Sequence, residues 1–403
     1  MRHYLINVIV SRGPLARLRL GSTRKPWAKR KIGLSLALAL VVATGECQES
    51  DLANLGRLLF FDTNLSNQRT QSCATCHDPN TAFVDPRNNN VDRAASIGDD
   101  GHSIGDRNTP SAAYAAATPN FHRNSNGENV GGFFLDGRAA SLRVQAIEPL
   151  FNPKELALRD PSMARERIME NPLYIEILTR LYGEELFDNA DALVEALGAS
   201  LSEFEKTELF SPFSSKYDRF LAGEYQMTAL EEFGRSLFFS PLTNCTSCHL
   251  INSSSTSKRE TFTNYRYHNI GLPTNIRLRA AHRLAGEYLD HGLLGNPSVD
   301  DVSLDGKFKV PSLRNVAVTA PYMHNGIFKE LSTAILFYNK YTVINQQSRT
   351  NPETGKPWGE AEVPLTVDLD LLNQGQPIDQ ARVKALIAFL ETLTDKRYET
   401  LLK

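Results

Sequence analysis

The sequence predicts a mostly α-helical chain folded as two tandem domains with long loops and little strand. Three observations predict it. Strand-like alternation is sparse, whereas apolar residues recur at helical spacing in several segments. The hexapeptide Gly56-Arg-Leu-Leu-Phe-Phe61 returns 178 residues later as Gly234-Arg-Ser-Leu-Phe-Phe239. Each copy precedes a C-x-x-C-H motif, Cys73-Ala-Thr-Cys76-His77 and then Cys245-Thr-Ser-Cys248-His249. Such self-similarity reads as a duplicated unit, and 403 residues are enough for two domains.

The N-terminus reads as an export signal over residues 1–45. Arg24, Lys25, Lys29, Arg30 and Lys31 form a basic region, and Ile32 to Ala43 is an apolar run. Ala43-Thr44-Gly45 then fits a cleavage site before Glu46. The run is short for a membrane span; an uncleaved anchor is the competing reading. Cys47 raises a lipidated N-terminus, against which Glu46 is a poor preceding residue.

Leu52, Leu55, Leu58 and Leu59 mark the first helix of the mature chain, and residues 62–130, rich in Asn, Asp, Gly and Pro, read as long loops. Helical periodicity returns over 139–148 and 161–182, and Leu193, Leu197, Leu201 and Phe204 form one apolar face. Pro212 to Gly223 reads as a junction, placing the domains at 46–215 and 216–403. Asp379 is a helix cap, followed by the apolar stripe Val383, Leu386, Ile387, Leu390 and Leu393.

Charge narrows the function classes. Residues 1–45 hold nine basic side chains and no acidic one; beyond them 35 Lys and Arg face 46 Asp and Glu. An acidic body argues against nucleic acid as a partner.

Four of the five cysteines lie in the two C-x-x-C-H motifs. That pattern is the covalent haem attachment signature: two thiols add across the haem vinyl groups and the adjacent His binds the iron. A zinc site needs no His directly after each second Cys, and a thioredoxin-like pair would sit near a βαβ pattern. Each domain is therefore expected to be cytochrome c-like and to carry one haem c, on Cys73, Cys76 and His77 and on Cys245, Cys248 and His249. Haem attachment outside the cytoplasm agrees with the signal and points to the periplasm, with no stable membrane insertion once the signal is removed.

Further motifs are Arg107-Asn108-Thr109-Pro110, Asp136-Gly137-Arg138-Ala139, Glu148-Pro149-Leu150-Phe151-Asn152-Pro153-Lys154-Glu155, and Pro311-Ser312-Leu313-Arg314-Asn315 running into Ala320-Pro321-Tyr322-Met323-His324-Asn325-Gly326. With the paired haem motifs, the chain resembles the bacterial dihaem cytochrome c peroxidase and MauG family over residues 50 to 397. The resemblance implies a peroxide site at the His77 haem and an electron-transfer site at the His249 haem. It places Glu155 as the distal acid/base, with Gln145 and Pro149 beside it. It places the sixth ligand of the second haem fourteen residues beyond His324, at Tyr338; this is the MauG-like choice, with Met323 as the competing sulfur. It implies a calcium ion held by the Asn108 side chain and the carbonyls of Thr319 and Pro321, oxygen ligands that suit a hard cation. His102 is the one candidate for a removable distal His, and His324 reads as a supporting residue.

The chain departs from the family at two positions. Leu135 stands where the family places a Trp between the haems, and Thr243 where MauG places a Trp before its second haem motif. MauG's tryptophan-quinone-forming activity is therefore not transferred. The expected function is a periplasmic oxidoreductase that uses hydrogen peroxide to oxidise a protein partner. The alternatives are a peroxidase fed by a small redox protein and a non-catalytic dihaem electron carrier.

Overall fold

The computed structural model describes residues 50–251, 259–282, 288–342 and 349–402. The signal segment, Trp27 and Cys47 lie outside the described residues. Helices dominate. The first half holds α1 (Asp51–Phe60), α2 (Cys73–Cys76), α3 (Leu142–Phe151), α4 (Pro161–Met169), α5 (Pro172–Tyr182) and α6 (Ala190–Glu205). The second holds α7 (Lys216–Leu221), α8 (Ala229–Phe238), α9 (Ile276–Ala281), α10 (Leu331–Phe337), α11 (Asn339–Thr342), α12 (Leu369–Leu372) and α13 (Gln380–Glu391). Among the described residues the named strands are two residues long: β1 (His122–Arg123) pairs antiparallel with β2 (Asn129–Val130), and β3 (Tyr267–His268) with β4 (Phe308–Lys309).

The two copies of the hexapeptide do the same work. Gly56 of α1 lies against the Ser200 carbonyl of α6, and Gly234 of α8 against the Ala385 carbonyl of α13; a Cβ at either would overlap that carbonyl. Glycine lets two helix backbones cross in contact. The fourth and fifth residues of each hexapeptide turn inward: Leu59 and Phe60 in one copy, Leu237 and Phe238 in the other, are all buried. Phe60 meets Phe83 at 6.4 Å and Phe204 at 5.5 Å. Phe238 repeats this with Phe262 at 6.0 Å and Phe389 at 5.2 Å.

Caps set the helix starts as the sequence signals. The Ser50 hydroxyl accepts from the Ala53 N–H, Thr228 and Glu231 form a capping box, and Asp379 accepts from the Arg382 N–H. One expectation needs correction: the helical stretch 161–182 is two helices. Asn171 caps a new start and Pro172 occupies its first turn, where its missing N–H costs no hydrogen bond.

Candidate functional site

Both C-x-x-C-H segments are short helical turns. The Cys73–Cys76 turn is closed by a capping box between Ser72 and Thr75. The Cys245–Ser247 turn is a 3₁₀ segment entered through Asn244 in the left-handed region. Each turn brings its imidazole onto a backbone carbonyl. His77 Nδ1 lies 3.1 Å from the Phe83 carbonyl and His249 Nδ1 2.9 Å from that of Phe262. A carbonyl accepts only from N–H, so the contact fixes the tautomer and leaves Nε2 with a lone pair. Phe83 and Phe262 both have positive φ, 58° and 55°. Burial pushes both imidazoles toward the neutral form, His249 to about 4. All four thiols are free, and burial pushes Cys73 up to about 12, Cys76 to about 11 and Cys248 to about 12.

In the first half, Gln145 and Pro149 stand four residues apart on α3, hence on one face. The chain then turns at Asn152, and Leu156 donates back to the Pro149 carbonyl at 3.1 Å. This turn carries Glu155 toward the first haem motif, near enough for its charge to act on Cys73 and Cys76. Asn152 Nδ2 donates to Glu155 Oε1 at 2.9 Å. Burial pushes the Glu155 carboxyl up to about 7, against the pull of the Arg138 charge and the Asn152 bond. A carboxyl that titrates near neutrality can both take and return a proton. The first half also holds a carboxyl with no sequence signal: Glu205, at the end of α6, is buried, acts on Cys73, and is pushed up to about 8 by burial.

In the second half, Cys245, Cys248, His249 and Tyr338 line one cavity with apolar walls that include Phe238, Ile335, Leu386 and Leu390. Tyr338 is the residue at which α10 ends. It is 36 % exposed and lines this cavity. Burial, then the neighbouring Cys248 and Cys245, push its phenol up, so the protein by itself keeps it protonated; a metal cation at the oxygen would reverse that. Leu135 and Thr243 also line the cavity, and the Lys309 N–H donates to the Leu135 carbonyl at 2.8 Å.

The three residues expected to hold calcium come together on the same cavity wall. Asn108 Nδ2 donates to the Pro321 carbonyl at 2.7 Å, and the Asn108 N–H donates to the His324 carbonyl at 2.8 Å. Half a turn of the Asn108 amide would present its oxygen instead, which is what a calcium ion needs. His324 is half-buried with its ring stacked on Phe308 at 3.6 Å, and desolvation pushes it down to about 3. His102 is exposed on a turn whose N–H is taken by Asp100.

A chain of ion pairs joins the two halves. Arg138 Nε lies 3.2 Å from Glu148 Oε2 and its Nη1 2.8 Å from Asp136 Oδ2. Arg107 reaches the same Asp136 oxygen at 2.6 Å and grips Asp290 with Nε and Nη2, both at 2.7 Å. Arg107, Asp136 and Arg138 belong to motifs visible in the sequence; Asp290 had no signal there.

The residues fit a haem in each half: two free thiols, an imidazole held by its far nitrogen, and, around His249, an apolar cavity. Helical fold and paired sites together define a dihaem oxidoreductase, and the chain belongs to the dihaem cytochrome c peroxidase and MauG family. The di-haem cytochrome c peroxidase family model matches residues 50–226. The chain is 50% identical over 369 residues to the methylamine utilization protein MauG of Paracoccus denitrificans, covering 90% of this chain and 95% of that one. It is 29% identical to the cytochrome c551 peroxidase of Nitrosomonas europaea over 72% of each chain. Among solved structures, the diheme peroxidase BthA of Burkholderia thailandensis matches with a TM-score of 0.76 at 29% identity, over 87% of this chain and 88% of that one.

Proposed function

We propose that this protein uses hydrogen peroxide at the His77 haem to oxidise a protein partner, in the manner of MauG. The observation that carries this reading is Tyr338 on the wall of the cavity that holds Cys245, Cys248 and His249. A bound haem would supply the iron that takes peroxide at the first site and holds oxidising equivalents at the second. Cys73, Cys76 and His77 would hold the first haem; Cys245, Cys248, His249 and Tyr338 the second. A phenolate ligand donates charge and favours the oxidised states of iron. Glu155 takes the proton from one peroxide oxygen and returns it to the other, while Gln145 and Pro149 shape the same face.

The extent and identity of the match to MauG support the reading. Leu135 and Thr243 set it apart, and they favour a second one, in which a small redox protein supplies electrons and the chain is a peroxidase. Both readings put the chain in the periplasm as two cytochrome c-like domains, 46–215 and 216–403, with calcium on Asn108, Thr319 and Pro321.

Stopped-flow mixing of the ferric protein with peroxide, followed optically and by low-temperature EPR, tests this. Changes at both haems that persist without an added donor support protein oxidation. A change at the first haem alone, discharged at once by a reduced small cytochrome or cupredoxin, supports the peroxidase. No change at either haem sinks both.

A further inference from the structure

Between the two His-bearing turns lies a cluster that the peroxide reading leaves unused. On one side, the Phe83 carbonyl that holds His77 also accepts the Ala112 N–H at 3.2 Å. The Phe83 ring stacks on Phe210 at 4.3 Å, and the Phe210 carbonyl accepts the Tyr114 N–H at 3.1 Å. On the other side, the Arg314 guanidinium lies 5.5 Å from the Tyr114 ring and 5.5 Å from the ring of Phe262, the residue that holds His249. Tyr114 is thus one residue removed from the supports of both haem ligands, through Phe210 on one side and Arg314 on the other.

Its hydroxyl is also equipped. Tyr114 is 3% exposed, and its O–H lies 2.8 and 2.9 Å from the two oxygens of Asp395, a fully buried carboxyl. Asn315 Nδ2 donates to Asp395 at 2.9 Å and the Ser214 N–H at 3.2 Å, so the carboxyl is held in place. The Phe213 N–H donates to the Tyr114 oxygen at 3.2 Å. Oxidising a buried tyrosine requires its proton to leave with the electron, because a phenol cation has no solvation there. A fixed carboxylate at hydrogen-bond distance provides the destination.

We propose that Tyr114 is a redox-active tyrosine that gives one electron to the peroxide-oxidised haems and its hydroxyl proton to Asp395. The phenol O–H bond breaks, an O–H bond forms on the Asp395 carboxylate, and the haem pair is reduced by one electron, leaving a neutral tyrosyl radical. Hydrogen peroxide is the ultimate oxidant. When the partner delivers its electron, the radical is reduced and the proton returns. This rests on the peroxide reading above.

The test is freeze-quench EPR of the full-length holoprotein after peroxide, with optical spectra of the haems recorded on the same samples. The expected result is an organic radical that narrows when tyrosine is supplied ring-deuterated. It is lost in Tyr114→Phe, whose ferric spectra before peroxide match the parent and whose oxidised haems then persist longer. Asp395→Asn, which keeps the shape but cannot take the proton, also loses it. Tyr174→Phe keeps it, although Tyr174 likewise donates to a carboxylate, Asp62, at 2.8 Å. Haems that respond to peroxide with no radical, or with one that deuteration and Tyr114→Phe leave unaltered, overturn the tyrosine assignment alone. Haems that do not respond overturn the peroxide reading and this one with it. The deuterated parent protein shows whether the radical is a tyrosyl even if the variants fold poorly, and Tyr114→Phe set against Tyr174→Phe assigns it to its residue.

Discussion

Gly234 of α8 touches the carbonyl of Ala385 in α13 so closely that a side chain there would overlap it. The second half is pinned at this crossing, because the same two helices carry Phe238 and Phe389, which pack around Phe262 and so around the carbonyl that holds His249. Gly234→Ala is expected to lower stability by at least ~2 kcal/mol, at the upper end of overpacking costs because backbone must move. Urea unfolding followed at the second haem checks it. Gly56→Ala, against Ser200, should do the same to the first half, and an unchanged midpoint in either would refute the crossing.

Glu155 stands at the first haem motif with its carboxyl raised from 4.5 to about 7. Acting first as a base, it must be ionised, so the rate of reaction with peroxide is expected to rise with pH through about 7 and then level. Glu155→Gln should slow that reaction by ~10²- to 10⁴-fold and flatten the profile. Stability moves the other way. Between 4.5 and about 7 the folded protein keeps a proton that the unfolded chain has released, so burial of Glu155 costs stability as pH rises through that window. The variant should lose this slope, which paired urea titrations across the window would show.

Much of this arrangement could be read from the sequence, for reasons that can be named. The hexapeptides, the C-x-x-C-H turns and the Asp379 cap are local patterns, in which neighbours in sequence decide the geometry. The break at Pro172 was equally local, since Asn171 followed by Pro is a helix start. What could not be read is long-range or made by backbone. Arg107 and Asp290 are 183 residues apart and Tyr114 and Asp395 are 281 apart, and no periodicity links them. Phe83 and Phe262 serve through their carbonyls, which every residue has, so their side chains announce only a core position. Glu205 gives no sign because a lone carboxylate near a helix end is ordinarily solvated.

Tyr338 lines the cavity of His249 but carries a phenol that burial and two thiols keep protonated. If it binds iron as a phenolate, replacing it by a neutral sulfur should raise the reduction potential of the second haem. Tyr338→Met is expected to shift it upward by on the order of 0.1 V or more, well inside the ~0.8 V that axial ligands span. Potentiometric titration of each haem would show the shift confined to the second. An unchanged potential would mean that Tyr338 is only a wall of the cavity.

Arg107 holds Asp136 and Asp290 together, and its charge and hydrogen bonds keep the Asp290 carboxyl at about 2, against the upward push of burial. A folded value below the unfolded 3.8 means that Asp290 adds stability at pH above 3.8 and loses it as pH falls toward about 2. Arg107→Met leaves a buried carboxylate without its partner, which costs ~3–5 kcal/mol where that carboxylate is charged. Without Arg107 the Asp290 carboxyl titrates higher, so it takes up a proton sooner as the solution is acidified. The gap in unfolding midpoint between parent and variant should therefore be widest at neutral pH and shrink toward acid. Adding Asp290→Asn to Arg107→Met should restore part of the neutral-pH loss, because an amide can be buried without a counter-ion. A gap that stays constant with pH, and is not narrowed by the second substitution, would mean that Arg107 acts through packing against Phe308, which it faces at 5.3 Å, and not through its charge.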